Sequence, residues 1–213
     1  MTTFYIARHG ETEWNAQNLM QGQKDSLLTP KGIEQAKNLA DKLKQIKFDQ
    51  IFSSDLARAK KTAEIVALEH KLIVSTSKLL RESSFGKFEG MKISGFNQLI
   101  KKQLEEMKTL TTKDRLKYRM EKSMETDEEA VSRLLTFLRE ISLAYSNKKI
   151  LLVSHGKIMR TLLIHLGIGD YESLPRGSIK NTAYIVLESD GIEFFVKQLH
   201  GIEITSVVNK PKI

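Results

Sequence analysis

The stretch Thr3-Phe4-Tyr5-Ile6-Ala7-Arg8-His9-Gly10-Glu11-Thr12-Glu13-Trp14-Asn15 decides how the rest of the chain is read. The apolar run from Phe4 to Ala7 has the length and composition of a short buried strand. It breaks off in a cation, an imidazole and a glycine, with Thr12 and Asn15 close behind. A solvent loop holds such residues by chance, whereas a site for an anion requires them. Residues 3–8 therefore read as a strand that ends in a candidate site.

Downstream, Thr29-Pro30 reads as an N-cap followed by proline at the first helical position. Ile33, Ala36, Leu39, Ala40, Leu43 and Ile46 then keep helical spacing. Residues 49–53 predict a second strand. Asp55 is the expected cap of a helix carrying Leu56, Ala59, Ala63, Val66 and Ala67. Residues 72–75 predict a third strand and 149–153 a fourth, followed by a helix with Ile158, Met159, Leu162, Leu163 and Leu166 inward. The segments 183–188 and 192–199 flank Ser189-Asp190-Gly191 and predict a β-hairpin. Strands alternating with helices imply an α/β fold of three layers: a mostly parallel, doubly wound sheet with helices on both faces and a C-terminal antiparallel hairpin. Between them, residues 91–126 carry no strand signal and read as a helical lid insertion. Residues 92–123 hold nine Lys/Arg against four Asp/Glu. A long helix over 127–145 follows, with Val131, Leu134, Leu135, Leu138 and Ile141 inward. The whole chain, 1–213, reads as one domain with 204–213 as a tail.

Composition bounds the function. With 213 residues, 40% of them hydrophobic, the chain can build a core. There is no cysteine, which removes disulfides, thiol nucleophiles and cysteine metal sites. No apolar run approaches the ~18 residues of a membrane span, and no signal-peptide pattern opens the chain, so a cytoplasmic protein is expected. The net charge of +8 fits nucleic acid, anionic surfaces, phosphorylated small molecules or simply a soluble basic surface. Aromatics are only 7% and no interleaved basic and aromatic pattern is present, which weighs against a nucleic-acid-binding module.

Ligands of open α/β sheets bind beyond the carboxyl ends of the strands. The first strand ends in Arg8-His9-Gly10, and the second in Ser53-Ser54-Asp55 with Arg58 a turn further on. The third leads to Glu82, and the fourth ends in Ser154-His155-Gly156. Alone, His9 reads as a satisfied histidine at a strand end, Arg58 as a surface cation, Glu82 as a solvated carboxylate and Asn15 as a polar helix residue. Their convergence on one rim points to phosphoryl transfer. Arginine forks pair with phosphate oxygens, and a neutral imidazole can attack phosphorus. A second imidazole and a helix N-terminus can hold developing charge, and a glutamate can protonate the departing oxygen. The glycines after both histidines allow close approach of phosphate to backbone. His70, His165 and His200 keep structural readings. No acidic cluster at these strand ends suggests a metal.

The segments ARHGETEWN, SSDLARAKKTAE, LRESSFGKFEG and VSHG, with ETDEEAVSR before the long helix, resemble in order and spacing the motifs of the histidine phosphatase superfamily, in its phosphoglycerate-mutase-like branch. The resemblance covers nearly the whole chain. It implies that His9 becomes a phosphohistidine, that Arg8, Arg58 and His155 form the phosphate pocket, and that Glu82 donates the proton. It further implies that Asn15 contacts phosphate, that Gln21 and Gly22 meet the substrate, and that no metal or other cofactor is needed. Phe88 stands where the third motif often has Trp, and Met124 where glycine is common. The mutases of this branch carry a longer insertion with a paired-arginine segment and a proline run. Residues 91–126 contain neither proline nor an Arg-Arg pair. The expectation is therefore a metal-independent phosphomonoesterase acting on a small phosphorylated metabolite, with mutase-type transfer as the alternative. A sugar bisphosphate, phosphoserine, a ribazole phosphate or a broad set of monoesters all fit, and the basic excess of the lid suggests an anionic substrate. A catalytically dead relative would be expected to lack His9, Arg58 or His155, and all three are present.

Overall fold

The computed structural model describes residues 1–205. Six strands, β1 (Thr2–Arg8), β2 (Gln50–Ser54), β3 (Val74–Ser77), β4 (Lys149–Ser154), β5 (Ile179–Ser189) and β6 (Phe194–Ile202), form one sheet in the order β3-β2-β4-β1-β5-β6. The first four strands pair in parallel, while β5 runs antiparallel to β1 and to β6. Residues alternate across the sheet because the side-chain period of a strand is two. Phe4, Ile6, Ile150 and Leu152 thus enter one core, against α7 (Asp127–Ala144) and α8 (Gly156–His165). Ala7, Leu151 and Val153 enter a second core on the other face, against α2 (Pro30–Leu43) and α3 (Ala57–His70). The expected three layers and terminal hairpin are present.

Local chemistry sets most boundaries. The Thr29 hydroxyl accepts the Gly32 N–H at 3.0 Å, and Pro30 opens α2 as expected. Thr126 and Glu129 form a reciprocal capping box at the start of α7. Asp190 Oδ1 accepts the N–H groups of Ile192 and Glu193, closing the hairpin turn at the Asp-Gly pair.

Some expectations shift. Strand β3 starts two residues later than 72–75. Lys71 must first turn the chain out of α3 in the left-handed region (φ 54°), and Ile73 is left exposed. Asp55 does not cap α3. Its carboxylate instead holds Arg81 at 2.7 and 2.6 Å, and Asp25, from a distant loop, accepts the Ala57 N–H at 2.9 Å. Ile33 is exposed on α2, and His200 lies within β6, stacked on Tyr184.

Residues 91–126 form three short helices, α4 (Ile93–Leu99), α5 (Lys101–Lys108) and α6 (Thr112–Lys117). They bury Phe96 and Ile100 in a third apolar cluster with Met20, Phe85, Phe88 and Met124, separate from the two sheet cores. The 204–213 tail lies mostly outside the described residues; within them, Thr205 donates its N–H to the Ser173 carbonyl at 2.9 Å. No described helix is long and apolar enough to cross a membrane.

Leu152 is fully buried in the central strand β4. Leu152→Ala is expected to cost roughly 2–5 kcal/mol in urea-monitored unfolding, as for other buried leucine truncations. A loss under about 1 kcal/mol would mean that this face of the sheet is not the core.

Candidate active site

The register of β1 on β4 creates the centre of the site. Arg8 lies opposite Ser154, and the His9 N–H donates to the Ser154 carbonyl at 3.1 Å. The next residue of each strand is a histidine, so His9 and His155 leave the sheet side by side. Their ring centroids are 5.2 Å apart and the planes meet at 62°. His9 Nδ1 is 2.7 Å from the Gly10 carbonyl. In the tautomer that satisfies this contact, Nδ1 donates and Nε2 carries the lone pair. Burial holds His9 well below the usual histidine range, and the charges of Arg58 and Arg8 push the same way against the opposing Gly10 bond. Burial, then Arg58 and His9, do the same for His155. Both rings are neutral at pH 7.

Two guanidinium groups flank them. Arg8 donates from Nη1 to the Ile179 carbonyl at 2.6 Å. Arg58, only 1% exposed, donates from Nη2 to the Gly22 carbonyl and from Nη1 to the Lys24 carbonyl, both at 2.7 Å, and reaches Asp25 at 3.2 Å. The loop that supplies these carbonyls is held in turn by Glu89. The Glu89 carboxylate accepts the N–H groups of Gln23, Lys24 and Phe85 at 3.0, 3.1 and 2.9 Å. Gly22 sits at φ +56°, and a Cβ there would come within 2.1 Å of Glu89 Oε1, so this turn admits glycine alone.

Glu82 approaches from the loop after β3. Its Oε1 accepts the Ser83 and Ile158 N–H groups at 2.9 and 3.0 Å, and its Oε2 accepts that of Lys157 at 3.0 Å. The carboxylate thereby satisfies two of the free N–H groups at the start of α8. Asn15 completes the capping box of α1 (Glu13–Ala16) with Thr12. The Asn181 amide reaches both the His9 carbonyl, at 3.1 Å, and Asn15 Oδ1, at 3.4 Å.

These residues surround a cleft of about 510 Å³. Arg8, His9, Asn15, Gln21, Gly22, Arg58, Glu82 and Gly156 all line it. His155 is fully buried and does not line the cleft, its ring centroid lying 5.2 Å from that of His9. Of the cleft-lining residues, Ile93 alone comes from 91–126, and no lysine of that segment is part of the wall. Sequence reasoning missed Lys157, Arg160, Arg176 and Asn181 on the wall and Glu89 behind it. Lys157 and Arg160 were detectable as cations on the first turns of the helix after His155. Nothing local marks Arg176 or Asn181. Among the described residues, no three His, Asp or Glu side chains gather as a metal site would require.

A family model described as histidine phosphatase superfamily (branch 1) matches residues 4–200. The chain belongs to this family. It is an enzyme of the histidine phosphatase type. An uncharacterized phosphatase, PhoE, of Bacillus subtilis is 35% identical over 172 residues, 81% of each chain. A probable phosphoglycerate mutase, GpmB, of Proteus mirabilis is 43% identical over 97 residues, 46% of this chain and 45% of that one. A phosphoserine phosphatase mutant of Entamoeba histolytica, solved in complex with phosphoserine, superposes with a TM-score of 0.78 at 27% identity, covering 94% of this chain and 97% of that one.

The neutral histidines make stability pH-dependent. Both titrate lower folded than unfolded, so below the ordinary histidine value of 6.5 the unfolded chain binds more protons. Stability should therefore fall as pH drops from 7.5 to 5.5. In the double variant His9→Gln/His155→Gln the urea midpoint should change less over that interval. An equal slope in the two proteins would mean that these rings are not buried neutral.

Proposed function

We propose that the protein is a metal-independent phosphomonoesterase that acts through a phosphohistidine on His9. One observation carries this reading: the buried polar atoms without a partner among the described residues include Arg8 Nε, Arg58 Nε and both ring nitrogens of His155. Buried polar atoms without a partner are costly, and here they gather around one imidazole. The Arg8 and Arg58 Nε–H groups and the one N–H of neutral His155 are donors. A phosphoryl group against His9 would accept from all three side chains. Arginine forks and a second imidazole are suited to its oxygens.

In the proposed reaction, His9 Nε2 attacks phosphorus and the P–O bond to the substrate breaks. Glu82 gives a proton to the departing oxygen. Its Oε2 accepts one backbone N–H, which leaves a valence for that proton. Water then attacks the phosphohistidine and returns its proton to Glu82. Inorganic phosphate leaves and His9 is regenerated. Asn15 contacts the phosphoryl group, Gln21 and Gly22 meet the substrate, and Gly156 admits phosphate beside Arg8, whose Nε would lie 3.0 Å from a Cβ added there. The substrate is a small phosphorylated metabolite, in keeping with the phosphoserine bound by the Entamoeba relative. Likeness to mutases extends from GpmB, over under half of either chain, to a phosphoglycerate mutase of Bacillus anthracis that covers 94% of this chain at 30% identity. Mutase-type transfer is therefore the second reading. Water is favoured as acceptor because residues 91–126 lack a proline run and an Arg-Arg pair.

His9→Ala should abolish phosphate release while the protein stays folded. Radiolabelled substrate should leave an acid-labile, base-stable phosphoenzyme on wild type and none on the variant. EDTA should leave turnover intact, and vanadate, a mimic of the transition state, should inhibit. Full activity in His9→Ala, or loss in EDTA reversed by Mg²⁺, would overturn the mechanism.

The role of Glu82 is separable from that of Arg58. A general acid matters most for a poor leaving group. Glu82→Gln should slow alkyl phosphates on the order of 10²-fold and p-nitrophenyl phosphate much less. Arg58→Ala removes charge stabilisation of the transferring group and should slow both alike. Equal losses in Glu82→Gln would make Glu82 an orienting group for the start of α8 rather than a proton donor.

A further inference from the structure

The cleft holds more positive charge than one phosphoryl group requires. Beyond Arg8 and Arg58, its wall includes Lys157, Arg160 and Arg176. The first two are already engaged. The Lys157 ammonium pairs with the carboxylate of Asp127. Arg160, 9% exposed, donates from Nε to the Leu174 carbonyl and from Nη2 to the Tyr171 carbonyl.

Arg176 differs. It lies in the loop between α8 and β5, and its side chain is exposed at the cleft. Among the described residues its one hydrogen bond runs from Nη1 to Asn97 Oδ1, at 2.9 Å. Asn97 is a neutral amide on α4, and the guanidinium sits 5.7 Å from the centre of the Phe96 ring on the same helix. The surrounding charges do not neutralise it. Asp127 acts on Arg160 and Arg176 as well as on Lys157, and Glu172, the other nearby carboxylate, is taken by Arg115 at 3.2 Å. Four cations thus share two carboxylates. Of the three that line the cleft, Lys157 is paired with Asp127 and Arg160 is tied to two backbone carbonyls, whereas Arg176 is held by a single neutral amide.

We propose that Arg176 recognises a second anionic group of the substrate, a carboxylate or a second phosphate on the skeleton that carries the transferred phosphoryl group. Asn97 anchors one edge of the fork and leaves the remaining N–H groups for the ligand, the planar arrangement suited to bidentate contact with either anion. Selectivity then arises where α4 meets the loop before β5, and not from the lysines of the inserted segment. This assignment rests on the phosphatase reading of the cleft.

The test uses matched substrates. 3-Phosphoglycerate and glycerol 3-phosphate differ by a carboxylate against a hydroxymethyl group. Propane-1,3-diol bisphosphate and its monophosphate differ by the second phosphate. In wild type, at least one pair should favour the doubly anionic member by more than about tenfold in kcat/KM, the scale of a hydrogen bond to a charged group. The pair that does so identifies the anion. Arg176→Ala should reduce that preference about tenfold or more, mainly through KM, and Arg176→Lys should restore part of it. If Arg176→Ala misfolds, Asn97→Leu, which frees the fork, should lower the same ratio. A preference that survives Arg176→Ala in folded protein, or wild type indifferent to both pairs, would overturn the proposal. If wild type hydrolyses no monoester, the phosphatase reading fails by itself. Calorimetric titration of the same four compounds into wild type and Arg176→Ala then still decides whether Arg176 binds the second anion.

Discussion

Parallel pairing of β1 with β4, in the register that sets Arg8 against Ser154, is the constraint on which the rest of the site depends. A slip of one residue would turn Phe4 and Ile6 to the opposite face and separate the two histidines. The pairing is held by apolar side chains far from the chemistry. Phe4, Ile6, Ile150 and Leu152 are sealed on one face and Ala7, Leu151 and Val153 on the other. Burial on both faces leaves one register that satisfies both cores. The same burial keeps His9 and His155 neutral, because the charged form of each ring would have to be desolvated beside Arg8 and Arg58.

The cations are expensive to keep there, and the fold spreads the compensation widely. Arg58 is almost fully enclosed, and backbone carbonyls of a single loop hold both its terminal nitrogens. Glu89 secures that loop and Gly22 lets it pass close to the carboxylate. Asp25 of the same loop holds both Arg58 and the start of α3. The phosphate-facing surface is therefore built from segments that contribute backbone as much as side chains.

The inserted helices are in part a separate matter energetically. Leu116 of α6 packs against the sheet core beside α7, whereas Phe96 of α4 and Ile100, the residue after it, share a cluster with Met20, Phe85, Phe88 and Met124. Phe88 and Met124, the two positions that depart from the family's usual residues, are both buried in it. The cluster ties the insertion to the loops that carry Gln21 and Glu82. Its outer edge places Asn97 against Arg176 across the cleft mouth.

The strands along the chain and the sites at their ends were legible in the sequence itself, but their order in the sheet was not. The double-sided apolar runs of β1 and β4, the Thr29-Pro30 start and the Asp-Gly turn are local signals, and local physics determines them. So is the placement of Arg8, His9, Arg58, Glu82 and His155 on one rim, since parallel strands deliver their carboxyl ends together. What only the tertiary structure decided is every pairing between distant segments. Asp55 looked like a helix cap by its position, but Arg81 offered it a bidentate partner and Asp25 took over the start of α3. The basic excess of 92–123 looked like a substrate-facing surface, yet Ile93 is the insertion's contribution to the cleft. Arg176 and Asn181 carry no local pattern, because their roles exist only where β5 returns antiparallel beside β1 and brings a loop from late in the chain against residues from its start.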